Sequence, residues 1–291
     1  MPFAHNATMP ELPEVEVTRL GLEPALLGAR ITGLRLGKPL RWPLQADPAA
    51  LTDLHINALQ RRGKYLLLRT ERGWLIVHLG MSGSLLWTPA QQALAPLSVH
   101  EHVELRTDRG VLRLRDPRRF GAVLWHAEPA VENHPLLRML GPEPLGADFD
   151  GLALRLALRG RNAAIKPLLL SQNIVAGVGN IYACEALFRA GIDPRTPAQG
   201  LGPTHCERLA GALRDTLRQA VELGGSSLRN FAHSNGELGC FQMQAQVYGR
   251  AGQPCRVCGT PVRQITQGQR STYFCPNCQK ILKPRPSVGK R

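Results

Sequence analysis

Four cysteines near the end of the chain constrain its fold more than any other feature: Cys255-x2-Cys258 and, after sixteen intervening residues, Cys275-x2-Cys278. Two close pairs of thiolates suit the tetrahedral coordination of one zinc ion. Four unliganded thiols are the weaker reading, because so short and basic a segment has too few apolar residues to fold without a staple. Four protein ligands leave no open position for a catalytic water, so the ion is expected to be structural. Between the pairs, Gln267-Gly268-Gln269-Arg270-Ser271-Thr272 reads as the tip of a β-hairpin. That tip either projects Arg270 toward a phosphate or base or leaves it as a solvated turn arginine. Cys184, Cys206 and Cys240 lack such spacing and read as small, inert residues of a reducing compartment.

The formal charge is +14, and from Arg250 to Arg291 there are nine Lys or Arg and no Asp or Glu. Charge of this size opposes compaction unless a polyanion neutralises it, which points to nucleic acid. A ribosome-associated protein, or one merely kept soluble by its charge, is the other reading of the same surplus. No stretch approaches the roughly 20 consecutive apolar residues of a membrane helix, so a soluble protein without a membrane partner is expected. The opening Met1-Pro2-Phe3-Ala4-His5-Asn6-Ala7-Thr8 has neither a cationic leader nor an apolar core, and a cytoplasmic location is the default expectation.

A length of 291 residues accommodates two or three compact units. A helix candidate between Glu14 and Leu27, interrupted by Gly21 and Pro24, precedes a strand-rich stretch from Ile31 to His126. Candidate strands are Tyr65 to Thr70, Trp74 to Leu79, His102 to Arg106, Val111 to Arg115 and Ala122 to His126. Glu71-Arg72-Gly73 and Asp108-Arg109-Gly110 supply hairpin turns, which argues for an antiparallel sandwich or barrel. Gly141-Pro142-Glu143-Pro144-Leu145-Gly146 disfavours regular structure and reads as a linker. Helical spacing follows in Leu152 to Leu158, Pro167 to Gln172, Ile181 to Ala190 and Pro203 to Leu223, with Pro167 and Pro203 in first turns. The expected fold class is therefore α+β and multidomain. An N-terminal antiparallel β-sandwich takes residues 9–142, a linker 143–150, a helical domain 151–246, a zinc-finger β-hairpin 247–283 and a basic tail 284–291, with residues 1–8 as an extension.

Met9-Pro10-Glu11-Leu12-Pro13-Glu14-Val15-Glu16 closely resembles the start of the formamidopyrimidine-DNA glycosylases, bacterial enzymes that remove 8-oxoguanine and ring-opened purines. Further blocks resemble the same family in the same order: Lys64-Tyr65-Leu66-Leu67, His78-Leu79-Gly80-Met81-Ser82-Gly83, Asp116-Pro117-Arg118-Arg119-Phe120-Gly121, Gly177-Val178-Gly179-Asn180-Ile181-Tyr182 and Gln246-Val247-Tyr248-Gly249-Arg250. Together they span Met9 to Lys280. The resemblance implies a base-excision-repair DNA glycosylase with AP lyase activity, a helix-two-turns-helix element and one structural zinc ion. It further implies a monomer acting on double-stranded damaged DNA in the bacterial cytoplasm, associated with the nucleoid.

Chemistry supplies its own reason for a proline at position 10. Freed at its N-terminus, Pro10 carries a secondary amine that titrates near about 8, against roughly 10.4 for lysine, so a useful fraction is uncharged at neutral pH. Its attack on a sugar's anomeric carbon gives an iminium, cationic without further protonation, that drives strand cleavage by β,δ-elimination. Left inside the chain, the same nitrogen is an amide and cannot react this way, so the functional start is expected at Met9. Without the other blocks, Pro10 reads simply as a helix-start residue.

The resemblance makes Glu11 the general acid and base and Lys64 a phosphate contact that also donates a proton in the first elimination. Arg270 is assigned to the second elimination. Glu14 either helps hold the active site or sits favourably in a helix's first turn. Met81, Arg118 and Phe120 resemble the set that fills the void left by an extruded base, Arg118 pairing with the orphaned cytosine. Asn180, His100, Arg161, Lys166 and Tyr248 are implied DNA contacts. In this sequence Arg161-Asn162 stands where several lysines are familiar, and Arg229 where one lysine is. The lesion-recognition loop is expected near Asn230 to Gln244. Two rivals remain: the related endonuclease VIII enzymes for oxidised pyrimidines, which usually have Gly where this chain has Leu12, and a non-catalytic DNA-binding zinc protein, which has no use for Pro10-Glu11.

Overall fold

A computed structural model of the chain describes residues 9–225 and 244–282. The N-terminal extension, Arg229, Cys240, most of the expected recognition loop and the basic tail lie outside the described residues. Those described form two compact units, one of residues 9–138 with 220–225, the other of residues 139–219 with 244–282.

The first unit opens with α1 (Leu12–Leu26), whose buried Leu12, Val15, Thr18, Leu22 and Leu26 recur at helical spacing. The helix runs unbroken through Gly21 and Pro24, contrary to the expected interruption. Both residues lie on its exposed face, so the amide hydrogen bond that Pro24 forfeits leaves a carbonyl open to water. Eight strands follow: β1 (Ile31–Leu36), β2 (Ala58–Arg62), β3 (Tyr65–Thr70), β4 (Gly73–His78), β5 (Ser84–Pro89), β6 (Glu101–Thr107), β7 (Gly110–Arg115) and β8 (Ala122–His126). They make two antiparallel sheets, ordered β1-β6-β7-β5 and β2-β3-β4-β8. Both expected hairpins form and close alike, with Thr70 Oγ1 donating to Gly73 O (3.1 Å) and Thr107 Oγ1 to Gly110 O (3.0 Å). Alternate residues of the two sheets, Leu66, Leu68, Leu75 and Val77 with Val103, Leu105, Leu112 and Leu114, join Leu22 and Leu26 in one core. That every second residue of each strand faces this shared core is the arrangement of a sandwich.

The second unit contains α2 (Gly151–Leu158), α3 (Ile165–Leu170), α4 (Asn180–Arg189), most of α5 (Pro203–Glu222) and the hairpin of β9 (Arg263–Gln267) and β10 (Arg270–Phe274). Asp150 caps α2 by accepting from Ala153 N at 2.7 Å, and Pro203 occupies the first position of α5. The segment read as a linker has no regular structure, yet it packs. Phe149 is buried and its carbonyl accepts from Arg214, while Gly141 N donates to Gln172 O at 2.8 Å. The hairpin is tied to the helices: Asp193 N bonds Lys280 O (3.0 Å) and Lys280 N bonds Gly191 O (3.1 Å). No helix among the described residues is long and apolar enough to cross a membrane.

Candidate functional site

In the first unit, Pro10 immediately precedes the N-cap of α1 and is buried. Glu11 is that N-cap, and its side chain accepts from the Glu14 backbone while Glu14 Oε2 accepts from Glu11 N at 2.9 Å. This reciprocal capping box fixes both carboxylates, which are 2% and 0% exposed. Gly225, at φ +81°, lies close to Glu14; a Cβ there would stand 3.2 Å from Glu14 Oε1, so the chain approaches the carboxylate as only glycine can. The carboxylate expected to move protons therefore stands one residue from the expected nucleophile and is held by helix geometry.

Lys64 lies in the tight turn between β2 and β3, 9% exposed. Beside it is His78, at the end of β4, which sequence reasoning passed over although it opens the block used for Met81. Burial, then the cations Lys64 and Arg41, push the His78 imidazole down to about 4, so it is neutral at pH 7. Its Nδ1 accepts from Gly80 N at 3.1 Å and its ring lies 4.8 Å from that of Tyr65, whose hydroxyl burial pushes up.

Met81 sits in the loop after β4, partly exposed, and Arg118 and Phe120 lie in the loop after β7. Arg118 stacks over Phe120 at 4.9 Å, and Phe120 is 43% exposed. The backbones of these two loops touch, since a Cβ on Gly80 (φ +66°) would meet Phe120 C at 2.4 Å. His100 adjoins them through its carbonyl, which accepts from Asp116 N at 2.8 Å. The structure thus brings Met81, His100, Arg118 and Phe120 into neighbouring loops.

In the second unit, Lys166 is not a surface cation. It is 0% exposed, and its Nζ donates to Asn180 Oδ1 (2.6 Å), Thr272 Oγ1 (2.7 Å) and Ser271 O (3.4 Å). Asn180 Nδ2 donates to Ser271 O at 3.0 Å. Lys166 therefore joins α3 to α4 and β10 from a buried place, where a surface cation was expected. Asn180 opens α4 behind a loop shaped by Gln172, which accepts from Gly177 N (2.8 Å) and donates to Val178 O (2.7 Å). Glu185, also missed, is buried on α4 and accepts from the backbone N–H groups of Gln246 (2.8 Å), Val247 (3.0 Å) and Tyr248 (2.8 Å). Burial raises its pKa although these three bonds pull the other way. Its signal was a charged residue inside an otherwise apolar helix. Tyr248 is buried against Tyr273, ring centroids 5.0 Å apart, whereas Arg161 is exposed just beyond α2.

Gly268 and Gln269 both have positive φ, +54° and +60°, as a two-residue type I′ hairpin turn requires, and Arg270 follows them exposed at the head of β10. At the base of the hairpin the four expected cysteine sulfurs lie within 4.8 Å of one another, with Cys255–Cys278 at 3.9 Å and Cys258–Cys275 at 3.5 Å. Tetrahedral zinc with Zn–S near 2.3 Å puts its sulfurs about 3.8 Å apart. Val257 N and Cys278 N also point at Cys255 Sγ and Cys275 Sγ (3.5 and 3.4 Å), which suits thiolates. The set fits one structural zinc ion.

A β-sandwich with an acid-flanked proline, joined in sequence to a helical unit that carries a zinc hairpin, defines a zinc-finger protein built for chemistry on nucleic acid. The chain belongs to the formamidopyrimidine-DNA glycosylase family. Residues 9–123 match the formamidopyrimidine-DNA glycosylase N-terminal domain, residues 140–232 the formamidopyrimidine-DNA glycosylase H2TH domain, and residues 252–281 a zinc finger found in FPG and IleRS. The formamidopyrimidine-DNA glycosylases of Acidovorax sp. (strain JS42) and Burkholderia cenocepacia are 54% and 55% identical, each matched over 94% of this chain and 100% of their own length. Among solved structures, the MutM (Fpg) protein of Thermus thermophilus is 41% identical with a TM-score of 0.83, covering 93% of this chain and 98% of its own. The Lactococcus lactis Fpg in complex with abasic-site DNA is 36% identical with a TM-score of 0.84, covering 93% and 99%.

Proposed function

We infer that the chain is a bifunctional DNA glycosylase and AP lyase of base excision repair that excises 8-oxoguanine and formamidopyrimidines from double-stranded DNA. The observation that carries this reading is Pro10 beside the buried, capping-box-held Glu11, a pairing that a purely DNA-binding zinc protein does not need. The Pro10 nitrogen bonds to the anomeric carbon as the base–sugar bond breaks, and Glu11 handles the proton that the leaving group and the opened sugar require. The iminium accepts electrons as the strand is cut by β- and then δ-elimination, with Lys64 serving the first step and Arg270 the second. Met81, Arg118 and Phe120 occupy the gap left by the flipped nucleotide. His100, Arg161, Asn180 and Tyr248 hold the duplex, and Lys166 acts through Asn180. Zinc, held by Cys255, Cys258, Cys275 and Cys278, supplies the folding energy that sets the hairpin carrying Arg270. The enzyme works as a monomer in the bacterial cytoplasm, on the nucleoid.

This chemistry requires that residues 1–8 and Met9 be absent from the working enzyme, because only a free Pro10 is an amine. The test is to purify chains beginning at Met1 and at Met9, verify both N-termini by mass, and trap each with borohydride on an 8-oxoguanine duplex. Covalent trapping is expected only where Pro10 is free. Equal trapping by a verified full-length chain would transfer the nucleophile's role to Pro2 or a lysine.

A further inference from the structure

Between the Met81 loop and the Arg118–Phe120 loop lies a carboxylate with no part in the chemistry above. Asp116 is 0% exposed. Its Oδ1 accepts from Ser82 Oγ at 2.8 Å and from Arg118 N at 3.2 Å, and its Oδ2 accepts from Gly121 N at 2.7 Å. Its carbonyl accepts from Arg119 N (3.2 Å) and His102 Nε2 (3.1 Å), and its own N–H donates to His100 O. One residue thus bonds the immediate neighbours of Met81 and Phe120, the backbones of Arg118 and Arg119, and His100.

We propose that Asp116 is a positioning residue whose carboxylate locks the Met81 loop to the Arg118–Phe120 loop, so that the three side chains enter the duplex as one preassembled wedge. The inference rests on the void-filling roles given above and adds the element that makes them act together. Exposed tips on buried, fully bonded roots suit insertion between stacked bases, because ordering two loops separately at the moment of extrusion would cost conformational entropy that a fixed pair has already lost. Backbone contacts reinforce the lock. A Cβ on Gly121 would stand 2.9 Å from His78 O and 3.0 Å from Asp116 Oδ2, and Arg119 at φ +56° turns the chain back beneath Phe120.

A carboxylate suits this place because it only accepts, and three donors converge on it. In Asp116→Asn the side-chain NH2 must face the N–H of Gly121 or that of Arg118, since only the Ser82 hydroxyl can turn to accept, which unseats the Arg118–Phe120 loop from the group that ties it to Ser82. Single-turnover excision of 8-oxoguanine opposite cytosine is expected to fall about 10- to 100-fold in this variant, the scale of an ångström-sized misplacement. The preference for cytosine over adenine opposite the lesion should narrow. The fluorescence rise of 2-aminopurine placed beside the orphaned base, which reports insertion of the wedge, should slow in parallel. Borohydride trapping on a single-stranded abasic oligonucleotide, which needs no wedge, should fall much less than excision. Ser82→Ala removes only the tether to the Met81 loop and should slow excision several-fold while keeping the cytosine preference that Arg118 carries. If the wild-type chain excises 8-oxoguanine but Asp116→Asn matches it in excision, cytosine preference and fluorescence, the proposal is overturned. If Asp116→Asn does not fold, Ser82→Ala decides, and wild-type excision by that variant overturns it equally. All chains here begin at a verified free Pro10, and one with no substitution that excises nothing would instead refute the functional reading itself.

Discussion

Replacing Lys166 by methionine separates two ways in which a lysine can serve DNA binding. The side chain keeps its length and apolar stem but loses the ammonium, so Thr272 Oγ1 loses a donor in a fully buried place and Asn180 Oδ1 and Ser271 O lose one in a partly buried place. Stripping buried acceptors costs roughly 1–3 kcal/mol each, partly offset because the ammonium no longer has to be desolvated. With two short bonds and one long one, we expect a net loss of about 3 kcal/mol, read as a lower urea midpoint in the zinc-loaded chain. Affinity for a lesion duplex should fall as Asn180 and the head of β10 lose their common anchor. The decisive quantity is salt dependence. A lysine in contact with a phosphate contributes about 0.9 to the slope of log K against log salt, whereas one buried beneath Asn180 contributes nothing. The slope should therefore stay at its wild-type value while affinity falls at every salt concentration. A slope shallower by about one, with an unchanged urea midpoint, would refute this account and return Lys166 to the DNA surface.

His78 gives a pH-dependent prediction. Its folded value of about 4 lies below the ordinary 6.5, so the unfolded chain binds the extra proton, and stability present above pH 6.5 is lost as pH falls toward 4. The span corresponds to up to about 3 kcal/mol, and urea titrations at pH 7 and 4.5 should show a smaller loss in His78→Gln than in wild type. Equal losses would show that His78 is not held neutral. Metal analysis should find one zinc per chain, and its removal with a thiol reagent should abolish lesion-duplex binding until thiols and zinc are restored. Tight binding by zinc-free protein would refute the coupling of hairpin to metal.

Sequence patterns exposed whatever depends on neighbours along the chain. The cysteine pairs, the two hairpin turns beside Gly73 and Gly110, the strands β3, β4, β6 and β7 that those turns join, and the proline at the head of α5 are all local, and all appear where their spacing put them. Long-range partners decided the rest. Lys166 and Asn180 are fourteen residues apart, but the acceptors on Ser271 and Thr272 come from more than a hundred residues further on, and that hairpin turns a surface lysine into a buried anchor. Glu185 likewise finds its three amide donors some sixty residues downstream. Pro24 misled for a different reason, since proline's cost in a helix depends on which face it occupies. His78 and Asp116 were within quoted blocks, yet nothing local says that one is neutral or that the other holds two loops.

The start of α1 is where folding and chemistry constrain each other most closely. In the proposed chemistry Glu11 has to present its carboxylate to the sugar while also serving as an N-cap, and it can do both only if its backbone is fixed independently. Glu14 supplies that fixation through its 2.9 Å bond to Glu11 N, from a side chain walled in on one side by Gly225. In Glu14→Gln an amide oxygen can still accept from Glu11 N, so the cap should survive and the thermal midpoint should change little. In Glu14→Ala the Glu11 amide is left buried without that acceptor, at a cost of about 1–3 kcal/mol. Calorimetry of both variants, each made with Pro10 at its N-terminus, should therefore rank wild type and Glu14→Gln together, well above Glu14→Ala. If Glu14→Gln is instead as unstable as Glu14→Ala, the hydrogen bond is not what fixes Glu11. The negative charge of Glu14, rather than its place in the capping box, would then be what the head of the helix requires.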